Sequence, residues 1–311
     1  MAAVLHKLPD KFRVLVVDDE PDVHAVTRLS LKSMKFGGRD VELVSARSGQ
    51  ETVETMRTHP DIAVILLDVV MEKDTAGLDA CREIRTTLGN RTVRILLRTG
   101  QPGQAPEKQT IESYDIDGYL PKAELTSTRL YSAVRAALKS WQELVELERY
   151  RHYLSIIHNR TLALHSYDPL PATLARVLEA ALEICPSPLG VLELNTFEQA
   201  GNPQRYVVHL SSGRDARAAA ANAEEYRARI DRDAIARAAT ELQPFAGGVL
   251  VPLKAHRELG SGWLFLSEAI ADSLTATALA LLAAHAGNAF YSTVAEKLLA
   301  ASDDKVDVIA V

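Results

Sequence analysis

Several side chains near the start of the chain are of the types that bind cations and react with phosphoryl groups, and each closes or follows a short apolar run. The acidic pair Asp18 and Asp19 follows FRVLVV, and Asp68 ends IAVILLD. Thr99 follows VRILLR, and Lys122 follows DGYLP, three residues after Tyr119. Each has an ordinary explanation when taken alone, as a helix cap, a turn residue or a surface charge. Their coincidence at the ends of apolar runs indicates one shared site.

The chemistry that such a site supports follows from the residue types. Three clustered carboxylates repel one another unless a hard cation lies among them, and Mg²⁺ favours one or two carboxylates, a backbone oxygen and waters. A carboxylate can also act as a nucleophile and form an acyl phosphate. Lys122 would add a positive charge and Thr99 a hydroxyl donor to phosphoryl oxygens, because phosphoryl transfer depends mainly on positioning and charge neutralisation.

The elements that must position these residues alternate between apolar runs and helical patterns, which is typical of a doubly wound α/β domain with a five-stranded parallel sheet. In such a sheet the carboxyl ends of the strands meet at one edge, where ligands bind. The predicted strands are 12–17, 41–46, 62–68, 93–100 and 117–121, and the predicted helices are 21–34, 49–58, 78–88 and 107–114.

Composition narrows the class of protein. The chain has 311 residues, 47% hydrophobic and 24% charged, with a net charge of −6, and we expect about two domains. Cys81 and Cys185 are far apart in no ligand-like spacing, which favours a reducing cytoplasm. No signal peptide is expected, and Leu274–Tyr291 is interpreted as a buried helix and not a membrane span. The mild acidity argues against DNA binding.

A long helix is predicted over 127–167. No Pro or Gly occurs between Thr126 and Pro169. Apolar residues recur there in a heptad-like stripe with one irregularity near Leu147. The stripe comprises Leu130, Val134, Ala137, Trp141, Leu144, Leu147, Tyr150, Leu154, Ile157, Thr161 and Leu164. We interpret it as a connector that pairs with its copy in a dimer; two shorter core helices broken near Tyr150 are the alternative.

The remaining residues predict a second domain, 168–295, followed by a helix end and tail, 296–311. Helix, two strands, a charged helical region, two strands and a last helix form an α+β arrangement around an antiparallel sheet. The predicted helices are 169–184, 215–239 and 273–301, and the predicted strands are 189–195, 205–212, 247–254 and 262–268.

Four motifs in order, VLVVDDE, ILLDVVM, LLRTG and GYLPK, give residues 12–125 a resemblance to the receiver domains of two-component response regulators. We accordingly delimit the first domain as 1–126. The resemblance implies a cytoplasmic phosphoprotein that takes its phosphoryl group from a histidine kinase or phosphotransfer protein. It also implies roles for individual residues. These are Asp68 as phosphoacceptor; Asp18, Asp19, Asp68 and the Val70 carbonyl as Mg²⁺ ligands; Lys122 as phosphoryl contact; and Thr99 with Tyr119 as the switch pair.

Two features depart from the family pattern. Many receivers have Pro where this chain has Glu72, and they reach a Gly one residue earlier than Gly77. Ala123 stands where Pro is common after the lysine. The loop after Asp68 is therefore longer and more acidic than is usual, which is expected to affect kinase choice or acyl-phosphate lifetime.

A narrower resemblance, in PDVHAVTRLSLK, HPDIAVILLDVVME and RTGQPGQAPE, is to receivers fused to a GAF-like domain and often to an HD-GYP cyclic-di-GMP phosphodiesterase. The sequence has no His-Asp dipeptide, GGDEF or EAL motif. We therefore predict a regulator with no catalytic output, whose GAF-like domain serves dimerisation, sensing or protein interaction. A homodimer through the receiver face and connector helix is expected, with a downstream protein partner. The regulatory part of a cyclic-di-GMP phosphodiesterase system is the alternative function.

Three weaker signals are interpreted as structural. His158 in IIHNRT resembles a phosphorylatable histidine only faintly, because no glycine-rich ATP lid follows. His209, Arg205 and Trp263 are candidate ligand-lining residues of the second domain, with core or rim positions as the favoured interpretation. The arginines between 214 and 237 alternate with acids, which is typical of a solvated helix face.

Overall fold

Apolar strands and helices alternate in the first part of the chain to form the predicted parallel sheet. The strands are β1 Phe12–Val17, β2 Lys35–Phe36, β3 Arg39–Ala46, β4 Ile62–Asp68, β5 Arg94–Thr99 and β6 Gly118–Pro121. The helices are α1 Pro21–Ser30, α2 Gly49–Thr58 and α3 Ala76–Thr86. The strand order is β2-β3-β1-β4-β5-β6, and every pairing except that of β2 is parallel.

This computed structural model describes residues 8–100, 114–122, 125–164, 170–196, 205–211, 225, 242–245, 247–253 and 260–303. Its contacts divide the chain into two units, Met1–Arg149 and Tyr150–Val311. Most of the predicted helix 107–114 and the whole of the predicted helix 215–239 lie outside the described residues.

The edge of the first sheet carries a short strand that the sequence analysis missed. We expected a helix over 21–34, but α1 ends at Ser30, and β2 pairs antiparallel with the start of β3. Gly37 and Gly38 turn the chain with φ of 55° and 79°. Only glycine adopts two successive left-handed conformations easily, so a Gly-Gly pair is a hairpin signal.

Side chains alternate between two buried faces of this sheet. Val14, Val16 and Leu66 pack on one face with the first half of a long helix, α4 Ser127–Leu164. Leu15 and Ile65 pack on the opposite face with α3. A parallel sheet covered on both faces requires strands that are apolar at every position, and the buried strand IAVILLD meets this requirement.

Helix α4 is continuous, as the connector interpretation predicts, and it is not broken near Tyr150. Much of its apolar stripe is buried within the chain. Leu130, Val134, Ala137 and Trp141 are buried in the core of the first unit, and Ile157 is buried in that of the second. The exposed members of the stripe are Leu147, Tyr150 and Leu154.

The second unit contains an antiparallel sheet, as predicted. Its helices are the C-terminal part of α4, α5 Leu170–Ile184 and α6 Ser273–Asp303. Its strands are β7 Leu189–Thr196, β8 Arg205–Ser211, β9 Gln243–Phe245, β10 Gly248–Leu253 and β11 Gly260–Ser267, in the order β8-β7-β11-β10-β9. The sequence analysis missed β9, a three-residue edge strand that contains Pro244. A search of the described helices finds none with the length and apolarity needed to cross a membrane.

The role of α4 in the first core can be tested at Trp141, which is 1% exposed and packs edge-on against Phe12 at a centroid distance of 5.9 Å. Trp141→Ala is expected to lower the free energy of unfolding by about 3–5 kcal/mol, because it removes a large buried ring. Urea unfolding followed by circular dichroism measures the change. Tyr131→Ala, at an exposed position of the same helix, is the control and should shift stability by less than about 0.5 kcal/mol.

Candidate functional site

The sheet brings the predicted acidic residues together at the carboxyl ends of its strands. Asp18 follows β1, and Asp68 ends β4, which pairs with β1 in parallel. Each of Asp18, Asp19 and Asp68 offers a carboxylate oxygen, and these oxygens all lie within 4.8 Å of one another. Asp18 and Asp68 are buried, whereas Asp19 is exposed. The site is therefore a buried acidic pocket with one open side.

Lys122 directly links two of these carboxylates. Its Nζ donates a hydrogen bond to Asp68 Oδ2 at 2.9 Å and lies 3.2 Å from Asp18 Oδ2. Glu20 is 3.6 Å away, on the exposed side. Burial lowers the pKa of Lys122, but the hydrogen bond and charge of Asp68 and the charge of Asp18 outweigh burial, so the net pKa is raised. Lys122 therefore stays cationic between two carboxylates.

Asp68 occupies a less favourable environment than its lysine partner. Its Oδ1 accepts a hydrogen bond from the Val69 backbone N–H at 2.9 Å. Burial raises the pKa of Asp68 and the like charge of Asp18 adds to this, while Lys122 and the Val69 N–H oppose it without cancelling it. The ionised carboxylate is thus held in place and incompletely compensated, which suits a group that must react.

The long loop after Asp68 is anchored at both ends. Gly77 donates its N–H to the Val69 carbonyl at 3.1 Å, and a Cβ at Gly77 would lie 2.0 Å from the Asp68 carbonyl oxygen. Only glycine fits there without moving the acceptor strand. Glu72, which stands where many receivers have Pro, accepts a hydrogen bond from the Gly49 N–H at the start of α2 through Oε1 at 3.0 Å. These two hydrogen bonds hold the longer loop in place.

The remaining predicted site residues lie on the same edge of the sheet. Thr99 is the last residue of β5 and is buried. Tyr119 is half-buried on β6, opposite Leu97 of β5, and packs against the cluster on the α3 face. Val70 lies two residues beyond Asp68 with a partly exposed side chain. The structure places all the residues of the predicted phosphoacceptor, metal and switch sets in this region.

Sequence reasoning missed Arg98, which comes immediately before Thr99. Its guanidinium is 2% exposed and donates to Asp18 Oδ2 at 3.0 Å and to Thr27 Oγ1 of α1 at 2.9 Å. Burial lowers the pKa of Arg98, while the charges of Asp18 and Asp68 oppose that change, and an arginine remains charged in either case. The available signal was an arginine placed directly after the apolar residues ILL and directly before Thr99.

The donor set of the pocket fits a hard divalent cation. All three side chains of the cluster offer carboxylate oxygens, the ligands that Mg²⁺ prefers, and no thiol or imidazole takes part in this cluster. Asp18, Asp19 and Asp68 are the side chains that would hold such an ion.

In the second unit, strand register places candidate residues on one face of the sheet. Trp263 is paired with Glu193, and His209 with Val191. Trp263 is buried in an apolar cluster with Val191 and Phe265, and its Nε1 has no hydrogen-bond partner. His209 is exposed, and so is His158 on α4. The side chain of Arg205 lies outside the described part of the structure.

Comparison with known families identifies the first unit. Residues 14–135 match the response regulator receiver domain. Together with the parallel sheet and the carboxylate–lysine pocket, this match defines the N-terminal unit as a receiver domain. No HD-GYP domain is recognised in the C-terminal part of the chain.

The chain is also similar to individual proteins. A 135-residue stretch is 47% identical to the 3'3'-cGAMP-specific phosphodiesterase 2 of Vibrio cholerae serotype O1, and covers 43% of this chain and 26% of that protein. The chain thus matches about a quarter of the length of this curated relative. Among solved structures, the signal receiver domain of a modulated diguanylate cyclase from Desulfovibrio desulfuricans G20 is 19% identical with a TM-score of 0.34, covering 42% of this chain and 95% of that one. The signal receiver domain of an HD domain-containing protein from Pseudomonas fluorescens Pf-5 is 17% identical with a TM-score of 0.38, covering 44% and 93%.

The raised pKa of Asp68 predicts a pH-dependent effect on stability. Asp68→Asn is expected to raise the free energy of unfolding of the metal-free protein at neutral pH. The substitution removes an ionised carboxylate whose burial destabilises the folded state. A carboxyl group whose pKa is raised by folding destabilises the protein above that pKa. The gain in the free energy of unfolding should therefore shrink as the pH falls. It should vanish below the ordinary aspartate pKa, where Asp68 is protonated in both the folded and the unfolded protein.

Urea unfolding in EDTA at neutral and acidic pH measures this effect. Asp74→Asn, at an exposed position in the same loop, is the matched control and should change little. Equal stability of the wild type and Asp68→Asn at neutral pH would contradict the assignment of Asp68 as incompletely compensated.

Proposed function

We propose that the chain is a response regulator that accepts a phosphoryl group on Asp68 and transmits the change to its second unit. The observation that carries this proposal is the pocket in which Lys122 joins Asp68 to Asp18 at 2.9 and 3.2 Å, beside Asp19. A histidine kinase or phosphotransfer protein would be the donor. A carboxylate oxygen of Asp68 would form a bond to phosphorus while the bond from phosphorus to the donor nitrogen breaks, and the bonding pair leaves with the donor imidazole.

The residues of the pocket have separate tasks in this reaction. The Val69 N–H and Lys122 hold the two oxygens of Asp68, so the nucleophile is oriented before the donor arrives. Lys122 already contacts two carboxylates. As negative charge moves from Asp68 to the phosphoryl group, its ammonium group can bind the phosphoryl oxygens instead. A Mg²⁺ ion held by Asp18, Asp19, Asp68 and the Val70 carbonyl would neutralise charge on the transferred group.

Transmission would use the buried hydroxyl of Thr99 and the half-buried ring of Tyr119. A new dianion on Asp68 attracts hydroxyl donors, and movement of Thr99 leaves space next to the β6 position of Tyr119. We infer that these two residues form the two-state element of the domain. The protein would itself catalyse only its own phosphorylation and dephosphorylation.

Phosphoacceptance is tested with a small donor. Wild-type protein incubated with acetyl phosphate and Mg²⁺ should gain the mass of one phosphoryl group, and EDTA should prevent the gain. Asp68→Ala should lose the gain entirely, because no other carboxylate among the described residues has both the Lys122 and the Val69 contacts. Asp74→Asn, at an exposed position in the same loop, should label like the wild type. Equal labelling of Asp68→Ala and wild type, measured by intact-protein mass spectrometry, would refute the assignment.

For the second unit we propose a GAF-like domain that forms a homodimer through an apolar groove. The groove lies between α4 and α6 and is lined by Tyr150, Tyr153, Leu154, Ile157, Leu274, Thr277, Ala278 and Leu281. Tyr150, Leu154 and Leu281 protrude from its rim with exposed side chains. Ala278 and Thr277 are small enough to accept such side chains, so the surface is complementary in size to itself.

Charge favours a second copy as the occupant of the groove. The chain carries a net charge of −6, so two copies repel one another over most surfaces. The groove-lining residues carry no formal charge, and residues 273–290 include no Asp, Glu, Lys or Arg. Two copies can therefore meet at this face without a like-charge penalty. In this proposal the interface of the predicted homodimer includes the exposed stripe residues Tyr150 and Leu154 of α4.

The dimer is tested by light scattering. The wild type should have twice the 34.0 kDa mass of one chain under at least one of two conditions, with or without beryllofluoride. Leu154→Asp should give the monomer mass, because it places a charge in the apolar groove. Ser155→Asp, one residue away at an exposed position outside the groove, should remain dimeric. A dimer that survives Leu154→Asp would exclude this face.

A second candidate function is that of a regulatory part in a cyclic-dinucleotide phosphodiesterase system. It is favoured by the 47% identity over 135 residues to the cGAMP-specific phosphodiesterase 2 of Vibrio cholerae. The sequence contains no His-Asp dipeptide, so we propose that the chain does not hydrolyse such nucleotides itself. Hydrolysis of 3'3'-cGAMP by the purified chain, with or without beryllofluoride, would contradict this purely regulatory role.

A further inference from the structure

Arg98 is a buried cation within the LLRTG motif, and neither the resemblance nor the proposed transfer step gives it a role. It lies on β5 directly opposite Asp68 of β4 in the sheet register, and its backbone carbonyl accepts the Val69 N–H at 3.2 Å. Its side chain is on the sheet face that α1 covers, where it reaches Thr27. The residue thus contacts the acceptor strand through its backbone and Asp18 through its side chain.

The contact with Asp18 is direct and desolvated. Arg98 and Asp18 are joined at 3.0 Å, and their side chains are 2% and 0% exposed. Water and salt weaken ion pairs at a protein surface. This pair is shielded from water by the surrounding protein, so it is weakened much less. The same Asp18 Oδ2 also lies 3.2 Å from Lys122 Nζ. Arg98 and Lys122 therefore share Oδ2 of Asp18, which is a proposed metal ligand.

We propose that Arg98 is a positioning residue that acts as a permanent internal counter-charge of the acidic pocket. It holds Asp18, competes with a divalent cation for that carboxylate, and compensates the additional negative charge that phosphorylation brings. The part of this inference that concerns phosphorylation rests on the proposed function, whereas the part that concerns metal binding does not.

Formal charges show why a second cation is useful. Three carboxylates face Lys122 and Arg98 in the unphosphorylated pocket. Conversion of Asp68 to an aspartyl phosphate replaces one negative charge by about two at neutral pH. With a divalent cation bound, the two other aspartates and the phosphoryl dianion are balanced only if both Lys122 and Arg98 contribute. Without Arg98, the buried product would carry an uncompensated negative charge.

Competition with the metal ion and compensation of the phosphoryl charge predict opposite effects when the charge of Arg98 is removed: metal affinity should rise and phosphoryl uptake should fall. Arg98→Met removes the charge and keeps an unbranched side chain of similar length. Metal binding should become about tenfold tighter, since a like charge is removed from beside the ion. Phosphoryl uptake from acetyl phosphate at saturating Mg²⁺ should fall about tenfold, since an anionic product loses a buried cation. A purely structural role for Arg98 predicts no gain in metal affinity.

The experiment uses the full chain, with Mg²⁺ titrated by calorimetry on unphosphorylated protein and uptake followed by mass spectrometry. Arg98→Lys keeps the charge and should recover most of the wild-type behaviour in both measurements. Arg28→Met removes an exposed arginine from neighbouring α1 and controls for net charge. If circular dichroism shows that Arg98→Met does not fold, Arg98→Gln makes the same charge change with an amide that can still donate to Asp18.

Metal affinity that is unchanged or weaker in the neutral variant overturns the proposal, and so does phosphoryl uptake that does not fall. If the wild type itself accepts no phosphoryl group, the proposed function fails, and the calorimetric titration alone then decides the role of Arg98.

Discussion

The placement of three carboxylates at one edge of a buried sheet is the constraint on which the first unit depends. Asp18, Asp19 and Asp68 meet because parallel strands end together, and the repulsion between the buried Asp18 and Asp68 must be compensated where water is largely excluded. Lys122 compensates Asp68 and Asp18 together, and Arg98 also compensates Asp18. A cation or a phosphoryl group that bound there would therefore change the charge balance of the pocket.

The connection from this pocket to the rest of the chain is a helix that belongs to two cores. Trp141 is buried with the first sheet and Ile157 with the second unit, while Tyr150 and Leu154 between them are exposed. The irregular spacing near Leu147 falls where α4 passes from one core to the other. The helix is therefore anchored in both cores.

Much of this arrangement follows from local sequence. Near-continuous apolar runs such as IAVILLD predict parallel strands, and Asp68 at the end of that run is predicted to lie at the ligand-binding edge. Short elements were predicted less well. Strand β2 depends on the Gly37–Gly38 turn, and β9 is three residues long, so neither has enough alternation to be distinguished from a loop.

Residue types and their order thus determine the fold class of the first unit and the composition of its acidic pocket, because burial on both faces of a sheet leaves a strong one-dimensional pattern. The pairing of charges required the folded structure. Arg98 and Asp18 are separated by 80 residues, and Arg98 appears in the sequence as one of two arginines in its strand. Which part of the α4 stripe stays exposed was likewise decided by packing, since periodicity identifies an apolar face but not the surface that covers it.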